Sequence, residues 1–181
     1  MGDFEKTIEL LRKQRHDFMN DLQIIYGYLQ MGKEDKARES IKKLSIHNES
    51  ISEIYNLGDI YLAYSLEENI KRILRRKVDV NINIEISNFS KPPFEIECDK
   101  KINLVNNIFD EIEKSELNLV HIYFFEDKIG QSLFIANNEE LIDEMNWMES
   151  WEKLSIEIEG ISVYRCIYGD NIAYRIVLIR N

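Results

Sequence analysis

The run Arg15-His16-Asp17-Phe18-Met19-Asn20-Asp21-Leu22-Gln23 holds the side chains best suited to chemistry in this 181-residue chain. A neutral imidazole near pH 7 keeps one unprotonated ring nitrogen, which can attack phosphorus. In a helix, Arg12 lies one turn before His16 and Asn20 one turn after, so the three share a face bordered by Lys13 and Met19. A histidine among Arg12, Lys13 and Arg15 stands out against a formal net charge of -10, and suits a phosphate or a carboxylate-rich partner. On residue type alone, a histidine on a helix flank is more often solvated than reactive. The order of the whole string shifts that balance.

The elements that must position the string follow from periodicity. Residues 4–31 contain no proline, and Ile8, Leu11, Phe18, Leu22, Ile25 and Leu29 recur at intervals of three, four and seven. This is the seam of a long amphipathic helix, interrupted by Arg15, with His16 one residue off it and open to solvent. Gly32 stands where a left-handed cap ends such a helix. A second helix is predicted over 34–55, with Ala37, Ile41, Leu44, Asn48, Ile51 and Tyr55 as its seam. Two long helices and a short loop make an antiparallel hairpin, and one hairpin leaves much of its apolar stripe wet. Pairing two hairpins across a two-fold axis buries that stripe in a four-helix bundle, so a homodimer is expected.

Beyond the hairpin the pattern predicts a helix over 60–77, an alternating strand over 78–86 broken by Ser90, Pro92 and Pro93, and a helix over 100–115. Strands are predicted over 119–125 and 131–136, a short helix or loop over 145–151, and two strands within 156–179 around Tyr168-Gly169-Asp170-Asn171. The expected class is α+β: a helical hairpin domain over 1–57, then an α/β sandwich over 58–181. Glu111, Glu113 and Glu116 read as one solvated helix face, and Trp147 and Trp151 as packing. His47 and His121 carry no motif. Cys98 and Cys166 read as buried or partly buried thiols in a reduced, cytoplasmic setting. With 33 acidic against 23 basic residues, neither nucleic acid nor an anionic membrane is an expected partner.

The string from Arg15 to Gln23, with Gly27, Leu29 and Gly32, closely resembles the histidine box of one group of bacterial two-component proteins. These are the citrate- and dicarboxylate-sensor histidine kinases together with the sporulation-initiation phosphotransferases. The resemblance implies a hairpin that dimerises into a four-helix bundle, with His16 phosphorylated and response-regulator receiver domains as partners. It implies that Asp17 orients the imidazole, acts as base, or only pairs on the helix surface. Asn20 becomes a polar neighbour of the phosphoryl group, or is equally a solvated helix residue. Arg12, Lys13, Arg15, Met19 and Gln23 would meet the regulator, although Arg15, near the seam, is equally open to a structural role. Magnesium would come with the regulator's acidic pocket, so no cofactor or metal of the chain's own is expected.

The family's kinases follow the hairpin with an ATP-binding domain, and the predicted element order fits one. Asn106-Asn107-Ile108-Phe109-Asp110-Glu111 looks like a degenerate copy of its first motif, Asn-Leu-Leu-Asp-Asn: Asn107 and Asp110 match. Glu111 replaces the asparagine that helps hold magnesium. Asn137-Asn138 falls at a strand end of the same domain. No Gly-x-Gly occurs anywhere and no glycine lies between Gly130 and Gly160; Gly160-Ile161-Ser162-Val163 is at most a relic of the second glycine box. Backbone that carries side chains cannot approach a nucleotide as glycine does, so the ATP site is expected to be lost. Neither a sensor domain before the histidine helix nor a receiver domain after it is expected. The expected function is therefore an ATP-independent histidine phosphotransferase relaying between response regulators. Its rivals are a reduced sensor kinase with a variant ATP site and a non-catalytic regulator that docks regulators or kinases.

Overall fold

The computed structural model describes residues 3–89, 91–115, 118–138, 141 and 151–178. Ser90, Glu116, Trp147 and most of the 145–151 stretch lie outside the described residues. The chain divides into two compact units, Met1–Ser50 and Ile51–Asn181. Among the described residues no helix is long and apolar enough to cross a membrane.

The first unit is a hairpin of α1 (Asp3–Gln30) and the start of α2 (Glu34–Asn56). The turn between them is set by Gly32 at φ +66, with Gly32 N–H donating to Leu29 O and Lys33 N–H to Tyr28 O. That bond pair is a Schellman motif, which satisfies the last carbonyls of α1. A Cβ at Gly32 would meet nothing within 4 Å, so it is the backbone angle that favours glycine. Glu34 and Asp35 place negative charge at the positive end of α2.

Within the hairpin the packed stripes follow the predicted seams only in part: Ile8, Ile25, Ala37, Leu44 and Ile51 are buried or half-buried, and the other seam residues are exposed. On α1 the half-buried positions include Asp17, Asp21, Ile25 and Tyr28, while Leu11 and Phe18 are each 53% exposed. On α2, Ala37 is buried and Ser40, Leu44 and His47 are half-buried, while the predicted Ile41, Asn48 and Tyr55 are exposed. Each helix offers a second stripe beside its apolar one. The antiparallel pairing draws on residues of both stripes and leaves Leu11, Phe18, Leu22 and Leu29 of α1 exposed.

The second unit begins inside α2, because Ile54 and Leu57 are buried in its core. This division falls seven residues before the 57/58 boundary read from sequence. The unit continues with α3 (Ile60–Arg75), β1 (Asp79–Ile84), α4 (Cys98–Ile112), β2 (Leu119–Glu126), β3 (Gln131–Ala136), β4 (Glu152–Lys153), β5 (Ile161–Tyr168) and β6 (Asn171–Leu178). The six strands form one sheet in the order β1-β2-β3-β6-β5-β4. β1 and β2 are parallel and every other pairing is antiparallel. Leu66, Ile70 and Ile73 of α3 and Val105, Ile108, Phe109 and Ile112 of α4 share a core with Val120, Ile122, Phe124, Leu133 and Ile176 of the sheet. Alternation sends Phe134, Ala136, Cys166 and Ala173 to the opposite face, where Leu141 and Trp151 cover them. Trp151 is thus a packing residue, its ring 6.1 Å from that of Phe134.

Local chemistry explains the ends of these elements. Lys77 at φ 62 and Glu97 at φ 53 adopt the left-handed region, so α3 stops short of its predicted end and α4 starts two residues before its own. Gly169 at φ +61 opens the two-residue loop between β5 and β6, where a hairpin turn needs a positive angle. Asn137 clamps that hairpin, donating to Asp170 O at 3.0 Å and accepting from Ile172 N–H at 2.8 Å. The edge strand β4 was not legible in the sequence, and β5 begins five residues later than the predicted 156.

Asp59 caps α3, accepting from the N–H groups of Tyr61 and Leu62 on one oxygen and of Phe94 on the other. Removing this buried carboxylate leaves three donors unsatisfied. Asp59→Ala is expected to lower the stability of the second unit by about 2 kcal/mol, read by urea denaturation of the full chain.

Candidate active site

The helix α1 presents His16 to solvent, its side chain 75% exposed. Two polar groups flank its Nδ1, and both follow from helical spacing. Asn20, one turn on, brings its amide nitrogen to 3.2 Å, and the adjacent Asp17 brings Oδ1 to 3.8 Å. An amide N–H donating to Nδ1 places the ring proton on Nε2. Turning the same amide over sets its carbonyl against an Nδ1–H and frees the Nε2 lone pair. Asn20 engages Nδ1 in either state, and the second leaves Nε2 a lone pair for a reacting partner.

Arg12, Lys13 and Arg15 are exposed on the preceding turn, and Met19 and Gln23 are exposed beyond it. The structure therefore brings His16, Asp17 and Asn20 together and leaves the five expected partner-binding residues on open surface. What the sequence reading missed is an acid pair on the packed face. Asp17 and Asp21 stand four residues apart and half-buried, and His47 of α2 is half-buried as well. Burial pushes the Asp21 carboxyl above its ordinary range, the Asp17 charge adds to this, and His47 pulls it back down. Two aspartates at i and i+4 on a helix that otherwise packs apolar side chains were the available signal.

In the second unit, the segment that resembles an ATP motif lies on α4. Asn106 accepts from Asn69 of α3 at 2.7 Å, and Asp110 pairs with Arg72 at 2.8 Å. Glu113 pairs with both Arg72 and Arg76, and Glu111 accepts from the Tyr174 hydroxyl and lies 3.5 Å from the Arg165 guanidinium. This corrects the reading of Glu111 and Glu113 as a solvated face: each carboxylate is held by groups distant in sequence, from α3 or from the sheet. Where a nucleotide domain would need a magnesium ligand, Glu111 is already tied to Tyr174 and Arg165. The Cβ direction of Gly160 points at the Lys101 ammonium, 4.0 Å away, which is buried and donates to Pro93 O at 2.7 Å. Burial pushes Lys101 below its ordinary value against the pull of Glu97, Asp59 and Glu159. Among the described residues no three His, Cys, Asp or Glu side chains converge as a metal cluster would require.

Comparison with known proteins places the hairpin. Residues 1–57 match the family described as Sensor_kinase_SpoOB-type, alpha-helical domain. Sensor protein CitS of Bacillus subtilis (strain 168) is 28% identical over 139 residues, which cover 75% of this chain and 26% of CitS. Sporulation initiation phosphotransferase B of the same strain is 40% identical over 59 residues, 33% of this chain and 31% of that protein. The matches thus span about a quarter to a third of these curated relatives. Among solved structures, the Acinetobacter baumannii histidine kinase AdeS aligns at a TM-score of 0.41 with 13% identity, covering 92% of this chain and 98% of that one. A bacterial phosphotransferase aligns at 0.38 with 11% identity, covering 97% of each chain. The resemblance first carried by the histidine box is borne out where that box lies: the hairpin presenting His16 matches the SpoOB-type sensor-kinase alpha-helical domain, and the chain is a partial homologue of CitS and of the phosphotransferase.

Proposed function

We propose that this protein is a histidine phosphotransferase of a two-component phosphorelay, carrying phosphate on Nε2 of His16 between response-regulator receiver domains. The observation that carries the reading is the geometry of His16: an exposed side chain whose Nδ1 is engaged by Asn20. The lone pair of Nε2 attacks the phosphorus of a receiver's aspartyl phosphate. The N–P bond forms as the P–O bond to the aspartate breaks, and the carboxylate leaves with the electron pair. Return of the group to a second receiver is the same step reversed. Little covalent work falls to the protein beyond the nucleophile, and positioning and charge stabilisation supply the rest. Arg12 and Lys13 neutralise phosphoryl oxygens or the receiver's acidic rim, and the receiver supplies the magnesium. The occupied carboxylate of Glu111 and the missing glycines support independence from ATP.

The same reading makes the exposed stripe of Leu11, Phe18, Leu22 and Leu29 the interface of a homodimer. Burying a Leu or Phe fully is worth about 1.5–3 kcal/mol, so even partial cover of eight such residues across a two-fold axis is substantial. The chain is expected to sediment at twice its 21.6 kDa, and Leu22→Glu with Leu29→Glu to sediment as a monomer.

The function is tested by offering the full chain labelled ATP alone, and separately a labelled phospho-receiver with magnesium. Label on His16 from the receiver only is the expected result. Label from ATP would make the protein a kinase. If His16→Gln keeps the full effect of the parent on receiver phosphorylation, the protein is a non-catalytic binder.

A further inference from the structure

We infer that the open edge of the sheet at β1 pairs with β1 of a second copy of this chain, antiparallel about a two-fold axis through Asn81. This pairing needs neither the transfer chemistry nor the hairpin interface. β1 ends the sheet, and among the described residues no strand lies beyond it. Glu85 N–H donates to Phe124 O on β2, and alternation along the strand turns the backbone groups of Asp79, Asn81 and Asn83 toward β2 as well. The N–H and C=O groups of Val80, Ile82 and Ile84 therefore point the other way, out of the sheet. Such a row is a template for another strand, and edges usually block it with proline, lysine, a bulge or brevity. The opposite edge is protected, since β4 is only Glu152 and Lys153. β1 runs Asp-Val-Asn-Ile-Asn-Ile over six residues in unbroken register with β2, and carries none of those devices.

Face, phase and charge favour a second copy as the occupant and select one register. Val80, Ile82 and Ile84 are half-buried and pack on the core, whereas Asp79, Asn81, Asn83 and Glu85 are exposed on the other face. Directly opposed residues of an antiparallel pair share a face, so the axis must pass through a residue for apolar to meet apolar. An axis through Ile82 sets Asp79 against Glu85 of the copy, two like charges. Axes through Val80 or Asn83 shorten the overlap. An axis through Asn81 sets Val80 against Ile82 and Asp79 against Asn83, with the outward groups of Val80 and Ile82 bonded reciprocally. One step further out, Lys77 before the strand and Glu85 after it come opposite each other on both sides of the axis. Both are exposed, and Glu85 also accepts from the Tyr123 hydroxyl. A contact this small belongs with weak, transient interfaces, so a Kd of about 10⁻⁴ M is expected and the pair is dissociated in dilute solution.

The test is sedimentation equilibrium of the full chain over concentrations spanning that constant, with Leu22→Glu and Leu29→Glu in every sample to suppress association through α1. The chain with Asn81 intact is expected to associate. Asn81→Lys alone and Asn81→Asp alone each put like charges face to face at the axis, and each is expected to weaken association by about fivefold. An equal mixture of the two is expected to associate at least as tightly as the chain with Asn81, which also shows that both variants fold. Lys77→Glu is expected to weaken the pair, and Lys77→Glu with Glu85→Lys to restore it. Amide exchange read by NMR should slow with concentration at Val80, Ile82 and Ile84 and stay constant at Asn81 and Asn83. No association of the chain with Asn81 overturns the second copy as occupant and leaves the edge to an extended segment of another protein. Association unchanged by either Asn81 variant places the contact elsewhere and also overturns it. A mixture no tighter than its components, or a charge swap that fails to restore, overturns the register about Asn81.

Discussion

His16→Gln is expected to abolish phosphoryl acceptance, lowering transfer from a phospho-receiver by on the order of 10⁴-fold or more, as loss of a nucleophile does elsewhere. Glutamine is a good helix former of similar reach, and His16 is exposed, so α1 and its packing on α2 should be unchanged. The loss must then appear in the chemical step, with receiver affinity and oligomeric state as in the parent. Rapid-quench measurement of labelled phosphohistidine separates these quantities. The phosphorylated product should be acid-labile and alkali-stable, as a phosphoramidate is and an acyl phosphate is not. Retained labelling in His16→Gln would move the reaction to another residue and end the assignment of Nε2.

Asp127→Ala is expected to lower the stability of the second unit by about 3 kcal/mol, near the lower end for breaking a buried pair because water reaches the Asp127 side. Arg175 on β6 is 1% exposed, and its Nη2 donates to both Asp127 oxygens at 2.9 and 2.8 Å and to the Ser132 hydroxyl. Its guanidinium lies 4.9 Å from the centre of the Phe125 ring. Removing Asp127 takes the carboxylate from a buried cation that cannot discard its proton. Arg175→Met, which removes the cation itself, should cost less. Burial raises the Asp127 carboxyl, but the Ile129 and Gly130 N–H groups and Arg175 outweigh it, and the net shift is downward. Its folded value lies below its unfolded one, so its contribution is fully present above the unfolded value of 3.8. It is lost as pH falls from there through the folded value. Urea midpoints of parent and Asp127→Ala should therefore differ at pH 7 and converge in strong acid.

The parts of this protein legible in its sequence are those specified locally. The hairpin helices, the Gly32 cap, the alternation of β1 and the Gly169 turn were all visible, because period, φ preference and turn chemistry act over a few residues. His16 and its neighbours were legible for the same reason: i to i+4 spacing on one helix fixes who touches whom. What escaped was set by pairing across distance. Nothing within 34–55 shows that α2 packs on Ser40 and His47 when Ile41 and Asn48 look the better seam. Glu111 and Glu113 resemble a solvated face until Tyr174, Arg165, Arg72 and Arg76 are brought to them by the sheet and by α3. Strand order in the sheet, with β3 beside β6, is likewise a non-local choice.

The Schellman turn at Gly32 acts as a phase setter for chemistry done several turns away. Its two bonds fix how many residues separate Tyr28 from Ala37, and so decide which side chain of α2 comes level with the His16 turn. One residue added there would advance α2 by about 100°, rotating His47 off the hairpin face and bringing a neighbour round in its place. Three or four added residues, about one full turn, would nearly restore the angle while sliding every pairing along the helix. The surroundings of His16 are thus written partly in the length of a loop that it never touches, and divergence in this hairpin is constrained by count before it is constrained by composition.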